Sequence, residues 1–133
     1  MTIEYRVNAL ITPEQLAAVF EESGIRRPTH DLGRMEKMLA HASLTVTAWD
    51  RERLVGVARA LTDFCWCCYL SDLAVDSAYQ HQGIGKILIE RVRAEAGDEA
   101  NLLLLAAPEA MGYYPKVGFE PVSNGWILPR RES

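Results

Sequence analysis

Val75-Asp76-Ser77-Ala78-Tyr79-Gln80-His81-Gln82-Gly83-Ile84-Gly85-Lys86 joins an apolar, strand-like stretch to the most regular helical pattern in the chain. Gly83 and Gly85 carry no Cβ, so the backbone there can turn sharply and come close to a ligand. The first-turn amides of the following helix point out of its N-terminus, where the dipole favours an anion. Main-chain donors alone can cradle a pyrophosphate in such a place. Taken by itself, a G-x-G before a helix is equally well a tight strand-to-helix turn. A dinucleotide fingerprint fits poorly, because it needs a third glycine or alanine where Leu88 stands, and no Walker pattern is present.

Working away from this loop, Phe64 to Val75 reads as one long strand before it. Gly83 to Ala96 reads as the helix after it, with Ile84, Ile87, Leu88 and Val92 on one face and Lys86 paired with Glu90 on the other. Upstream, Ile3 to Val7 is a short strand. Thr12-Pro13-Glu14-Gln15 starts a helix with a capping box and a proline at its first position, and Gly24 ends it. Asp31 caps a second helix with Leu32, Met35, Met38 and Leu39 inward. Leu44 to Trp49 and Leu54 to Leu61 form a hairpin across Asp50-Arg51-Glu52-Arg53. Downstream, Asn101 to Ala106 is apolar on both faces and reads as a buried strand. Pro108 to Tyr114 is a short helical segment, and Gly118 to Val122 and Trp126 to Leu128 are two last strands. The order is that of an α+β domain: a meander, a crossover helix, then a strand parallel to the one before it.

The 133 residues fit one domain, 1–133, with enough chain to bury a core without metal or disulfide. The net charge is −4, which gives a polyanion no long-range attraction and argues against a nucleic-acid partner. The first residues show no basic region followed by an apolar run, and Leu102 to Ala107 is too short to cross a bilayer. The expectation is a cytoplasmic protein with no membrane partner. Cys65, Cys67 and Cys68 match no zinc spacing, and their odd number argues against a disulfide framework. They read as small side chains of a buried strand, and no metal is expected.

Three segments carry a family resemblance. Gln80-His81-Gln82-Gly83-Ile84-Gly85 resembles the Gln/Arg-x-x-Gly-x-Gly/Ala signature of the GNAT N-acetyltransferase superfamily. Leu70-Ser71-Asp72-Leu73-Ala74-Val75-Asp76 resembles its fourth strand, and Tyr113-Tyr114-Pro115-Lys116-Val117-Gly118-Phe119 its later Tyr-x-Lys-x-Gly-Phe segment. They occur in the family's order and cover roughly half the chain with the elements around them. Two departures stand out: Ala106-Ala107-Pro108-Glu109 lacks the asparagine many members carry there, and Pro115 directly follows the key tyrosine.

The resemblance implies a mixed central sheet of about six to seven strands, splayed between strands 4 and 5 and flanked by about four helices. It implies acetyl-CoA as cosubstrate, with pantetheine lying along Leu73, Ala74 and Val75 and phosphates on the loop from Gln80 through His81, Gln82, Gly83, Ile84 and Gly85 to Lys86. It assigns Tyr114 as the acid that protonates the departing thiolate, Tyr113 being its neighbour in register. Asp72, a carboxylate in an apolar strand, is the candidate base or amine anchor, with a structural hydrogen-bonding role as its alternative. Ser71 could hold a water instead, and Glu109 is a weaker candidate. Trp66, Tyr69 and the second helix are candidate walls of an acceptor pocket, or plain core. Three activities stay open: acetylation of a small-molecule primary amine, acetylation of a protein lysine or N-terminus, and non-catalytic acyl-CoA sensing. Family members often pair through late strands, so a homodimer is expected.

Overall fold

A computed structural model describes residues 2–133. The elements are β1 (Glu4–Val7), α1 (Pro13–Ser23), α2 (Leu32–Ala40), β2 (Leu44–Asp50), β3 (Arg53–Thr62), β4 (Cys67–Val75), α3 (Ile84–Ala96) and β5 (Asn101–Leu103). Short 3₁₀ turns occupy Ser77–Tyr79, Pro108–Ala110 and Tyr114–Val117. The sheet runs β1-β2-β3-β4-β5, antiparallel except for the parallel β4–β5 pair.

Local chemistry explains the ends of the helices. Thr12 and Gln15 form the expected capping box, with Gln15 N donating to Thr12 Oγ1 at 3.0 Å and Thr12 N to Gln15 Oε1 at 2.9 Å. Gly24 ends α1 at φ +83°, a left-handed conformation that glycine adopts without strain. Asp31 Oδ1 caps α2 through Arg34 N at 3.0 Å.

The core lies on both faces of the sheet. On one face α3 packs Ile84, Leu88, Ile89 and Val92 against Leu44, Val46, Ala58, Ala60 and Leu70. Gly56 sits under this helix, where a Cβ would meet Leu88 at 3.2 Å and Ala48 at 3.3 Å, so the small residue sets how closely α3 approaches. On the other face α1 and α2 pack Leu16, Val19, Phe20 and Met35 against Val57 and Ala74.

β4 changes face partway along. Ala60 pairs with Leu70 and Arg59 with Asp72, so Ser71 is an extra, bulged residue. Before the bulge Cys68 and Leu70 belong to the α3 core; after it Ala74 belongs to the α1–α2 core while Leu73 and Val75 face α3. Side chains alternate with period two, so one inserted residue transfers every later one to the opposite face. The bulge therefore puts Asp72 on the α1–α2 face.

The sheet has five strands and the chain three α-helices among the described residues, fewer than the six to seven and four expected. The long strand starts at Cys67 rather than Phe64, because Asp63 Oδ1 accepts from the amides of Cys65, Trp66 and Cys67 and folds that stretch into a turn. Only Cys68 of the three cysteines is buried; Cys65 and Cys67 are exposed. β5 stops at Leu103, and Leu103 and Leu105 face outward, so the stretch is not the fully buried strand its composition predicts. Pro108 to Tyr114 does not form one helix: Pro108–Ala110 is a 3₁₀ turn, and a second one, Tyr114–Val117, starts only after an intervening turn at Met111 to Tyr113. The last two strands do not form. Pro121 withdraws a ladder donor from the first, and among the described residues no strand pairs with the segment after Phe119.

Candidate active site

The site begins where β4 and β5 part. Their pairing covers only Cys67–Asn101, Cys68–Leu102 and Tyr69–Leu103, whereas β4 continues to Val75. The Ser71 bulge bends β4 at this point and leaves the edge from Leu70 to Val75 without a strand beside it. Leu73 and Val75 thus present main-chain groups to an open gap, whereas the predicted contact at Ala74 is not available: its main-chain groups turn to Val57 in the β3 ladder, and its side chain is buried in the α1–α2 core. An extended ligand can pair with such an edge.

The gap leads to the N-terminus of α3. Gly83 is its N-cap, at φ +84°, with no side chain capping the helix and nothing within 4 Å of where a Cβ would stand. The amides of Ile84, Gly85 and Lys86 are the orphan first-turn donors. This open, uncapped cradle fits the diphosphate of coenzyme A. The predicted loop residues divide by role. Gln80 Nε2 donates to the Val75 carbonyl at 2.8 Å and ties the loop to the strand end. His81 adopts φ +65° and is exposed, as are Gln82 and Lys86. Ile84 contributes only its amide, since its side chain belongs to the core. Among the described residues the expected Lys86–Glu90 ion pair does not form, and the Lys86 side chain is exposed. The loop is braced below by Asp76, which accepts from Ala78 N at 2.9 Å and Arg53 Nη2 at 2.8 Å, and by Tyr79, whose hydroxyl donates to Asp50 at 2.6 Å.

Two tyrosines stand beside this cradle. A Cβ at Gly85 would meet the Tyr113 hydroxyl at 2.9 Å, so Tyr113 reaches over the start of α3 and would have to shift for any larger residue there. Tyr114 packs edge-on between Tyr113, at 5.3 Å between ring centroids, and Phe119, at 5.5 Å. Both rings are half-buried against the α3 core. Burial pushes the Tyr114 phenol above its usual range; Tyr113 adds to the rise and the Arg27 charge opposes it. The hydroxyl is therefore protonated at neutral pH, as a proton donor must be.

Asp72 is 1% exposed, and its two carboxylate oxygens meet different guanidiniums, Arg27 through Nε at Oδ1 and Arg59 through Nε at Oδ2. Arg59 also donates to Ser71 Oγ at 3.0 Å, and Arg27 to the Ser71 carbonyl at 2.9 Å. The carboxylate that the sequence offered as a base is thus held between two cations, and Ser71 is held with it. Glu109 is exposed and lies in the 3₁₀ turn after β5. Trp66 is 76% exposed and Tyr69 is exposed too, so they do not wall a closed aromatic pocket. Arg59 had a signal in the sequence, a lone charge in an apolar strand opposite another strand's lone carboxylate. Arg27 had none, since only the chain's return from α1 brings it to β4.

A sheet that parts at an inner strand, beside an uncapped helix N-terminus and a protonated tyrosine, defines the class of acyl-CoA-dependent acyltransferases. Residues 13–126 match the family model for the acetyltransferase (GNAT) domain, and the chain belongs to that family. It is 32% identical over 113 residues to a Glycine max protein named histone acetyltransferase TAP1, covering 84% of this chain and 46% of that protein. It is also 32% identical over 116 residues to GCN5-related N-acetyltransferase 1, chloroplastic, of Arabidopsis thaliana, covering 84% and 58%. The chain therefore spans about half the length of these curated relatives. Among solved structures, a probable acetyltransferase of unknown function, SA2161 from Staphylococcus aureus, superposes with a TM-score of 0.82 at 25% identity, covering 97% of this chain and 99% of that one. The aminoglycoside N-acetyltransferase AAC(6')-Iy, solved in complex with CoA, shares the fold at a TM-score of 0.70 and 17% identity, covering 98% and 95%.

Among the described residues no group of three His, Cys, Asp or Glu could hold a metal ion, and no helix is long and apolar enough to cross a membrane.

Proposed function

We propose that the chain, as one domain spanning 1–133, moves the acetyl group of acetyl-CoA to a primary amine of a small molecule, with Tyr114 as general acid. The observation that carries this reading is the continuity of the open β4 edge with the uncapped N-terminus of α3, with the tyrosine pair beside it. Acetyl-CoA supplies an activated thioester. Leu73 and Val75 would hold the pantetheine arm through main-chain groups, and the amides of residues 83–86 its phosphates. An alkyl ammonium, with a pKa of about 10 as in lysine, must lose a proton before it can attack. With Asp72 committed to two guanidiniums, its supported role is to anchor them, and the proton leaves through water reaching the gap. Tyr114 then donates its proton to the sulfur as the thiolate departs. Residues of β4 whose amides face the gap stabilise the charge that develops on the carbonyl oxygen.

The exposure of Trp66 and Tyr69, together with the name carried by the Glycine max relative, favours a second reading, in which the acceptor is a protein lysine or N-terminal amine. The protein is read as cytoplasmic and as a homodimer. The dimer rests on an exposed apolar tail, with Trp126 97% exposed and Leu128 93%.

Release of free CoA thiol from acetyl-CoA, measured over amino acids, arylalkylamines, polyamines and lysine peptides, tests the proposal. Turnover with a small amine supports it. Turnover with peptides alone supports the second reading, and tight CoA binding without turnover on any acceptor overturns both in favour of a sensor.

A further inference from the structure

The ion cluster on β4 holds a charge that acetyl transfer as described does not use. One carboxylate, Asp72, faces two guanidiniums, so the cluster carries one net positive charge in a chain whose total is −4. The two arginines are not equivalent. Arg59 has a side chain only 9% exposed and donates to Asp72, to the Met38 carbonyl and to Ser71 Oγ. Arg27 has a side chain 27% exposed. A guanidinium offers five N–H donors, and Arg27 commits three of them: Nε to Asp72, Nη1 to the Arg26 carbonyl at 2.7 Å and Nη2 to the Ser71 carbonyl at 2.9 Å. Each terminal nitrogen keeps one N–H. The head is held rigidly on β4 beside the bulge, and its charge reaches the Tyr114 phenol, lowering a pKa that burial raises.

A bare ammonium is repelled by this arrangement. A carboxylate is attracted, and one N–H on each terminal nitrogen remains to meet it. We propose that Arg27 is a specificity-determining residue that binds a carboxylate on the acceptor, so that the acceptor is a small amino-acid-like amine and not a simple alkylamine or polyamine. The inference rests on the acetyl-transfer reading for what the site does with the amine, but not for what it binds. With the carboxylate on Arg27, the amine of the same molecule can lie toward Tyr114.

The test compares matched acceptors: a panel of amino acids, each with its amide and its decarboxylated amine. Binding to protein saturated with CoA is measured by calorimetry, and turnover by thiol release with acetyl-CoA. At least one free amino acid is expected to bind roughly tenfold to a hundredfold more tightly than both of its partners, the range of one charge-assisted pair. Arg27→Lys, which keeps a cation beside Asp72, is expected to remove most of that preference through KM with kcat little changed. The preference must survive in Tyr114→Phe, which disables the acid without touching Arg27. Equal binding of acid, amide and amine, an unaltered preference in Arg27→Lys, no binding by any member, or preference for an acidic peptide over every free amino acid each overturns the proposal. A carboxylate preference in binding without any turnover would instead overturn the acetyl-transfer reading and leave this one standing.

Discussion

The roles proposed for Tyr114 and Asp72 are tested by different measurements, one of catalysis and one of stability. Tyr114→Phe keeps the ring between Tyr113 and Phe119 and removes only the proton donor, so kcat is expected to fall about 100-fold or more while CoA affinity holds in titration calorimetry. Because burial raises the phenol's pKa, its protonated form persists through and above the ordinary tyrosine range. The acid should therefore cost no activity until the pH passes about 10, and a kcat profile descending near neutrality from loss of this proton would rule the assignment out. Asp72→Asn acts differently. It leaves two guanidiniums facing each other in a nearly closed space, and breaking a buried pair of this kind costs about 3–5 kcal/mol. Urea denaturation should show that loss; a variant as stable as the parent would mean the cluster is not what holds β4 to α1 and α2.

The strand-to-helix connection carries the cofactor reading. Gly83→Asp is expected to weaken CoA binding at least ~100-fold, because it puts a negative charge at the phosphate position and forces an L side chain to φ +84°. Stability to thermal unfolding should fall only by the cost of left-handed backbone, about 1–2 kcal/mol, since nothing lies within 4 Å of the new Cβ; unchanged CoA affinity would mean that the phosphates lie elsewhere. This loop was legible in the sequence because glycines before an apolar helical stripe are local signals. So were the caps of α1 and α2, where Thr12, Gln15 and Asp31 act on amides three residues away. The true start of β4 was less legible. Asp63 looked like part of a simple turn, and its three accepted amides extend that turn to Cys67. The bulge at Ser71 had no sequence signal at all, since nothing in Leu70-Ser71-Asp72 says which residue lacks a partner on β3.

For the molecule as a whole, the tail is the part least explained by one copy of the chain. Trp126, Ile127 and Leu128 lie exposed beyond a sheet whose outer strand, β5, is three residues long, with Leu103 in it and Leu105 just after it exposed. The composition of this tail predicted strands, and a strand forms only where an edge is available to pair with it. Light scattering is expected to find a dimer for the full chain and a monomer, or aggregate, after removal of residues 125–133. A full chain that stays monomeric at high micromolar concentration would overturn the homodimer.

The linear chain specified α1, α2, α3, the meander and the glycine turn before α3, because those depend on contacts between near neighbours and on a periodicity of side chains. It also indicated that β5 would lie parallel to β4 after a crossover helix. Folding in three dimensions settled how far β4 and β5 stay together, which face Asp72 occupies, and that Arg27 and Arg59 close on it. These follow from a one-residue bulge and from a loop 45 residues away in sequence, and neither leaves a trace in local pattern. The carboxylate seen as a lone negative charge in a strand is, in the folded molecule, the buried partner of two cations.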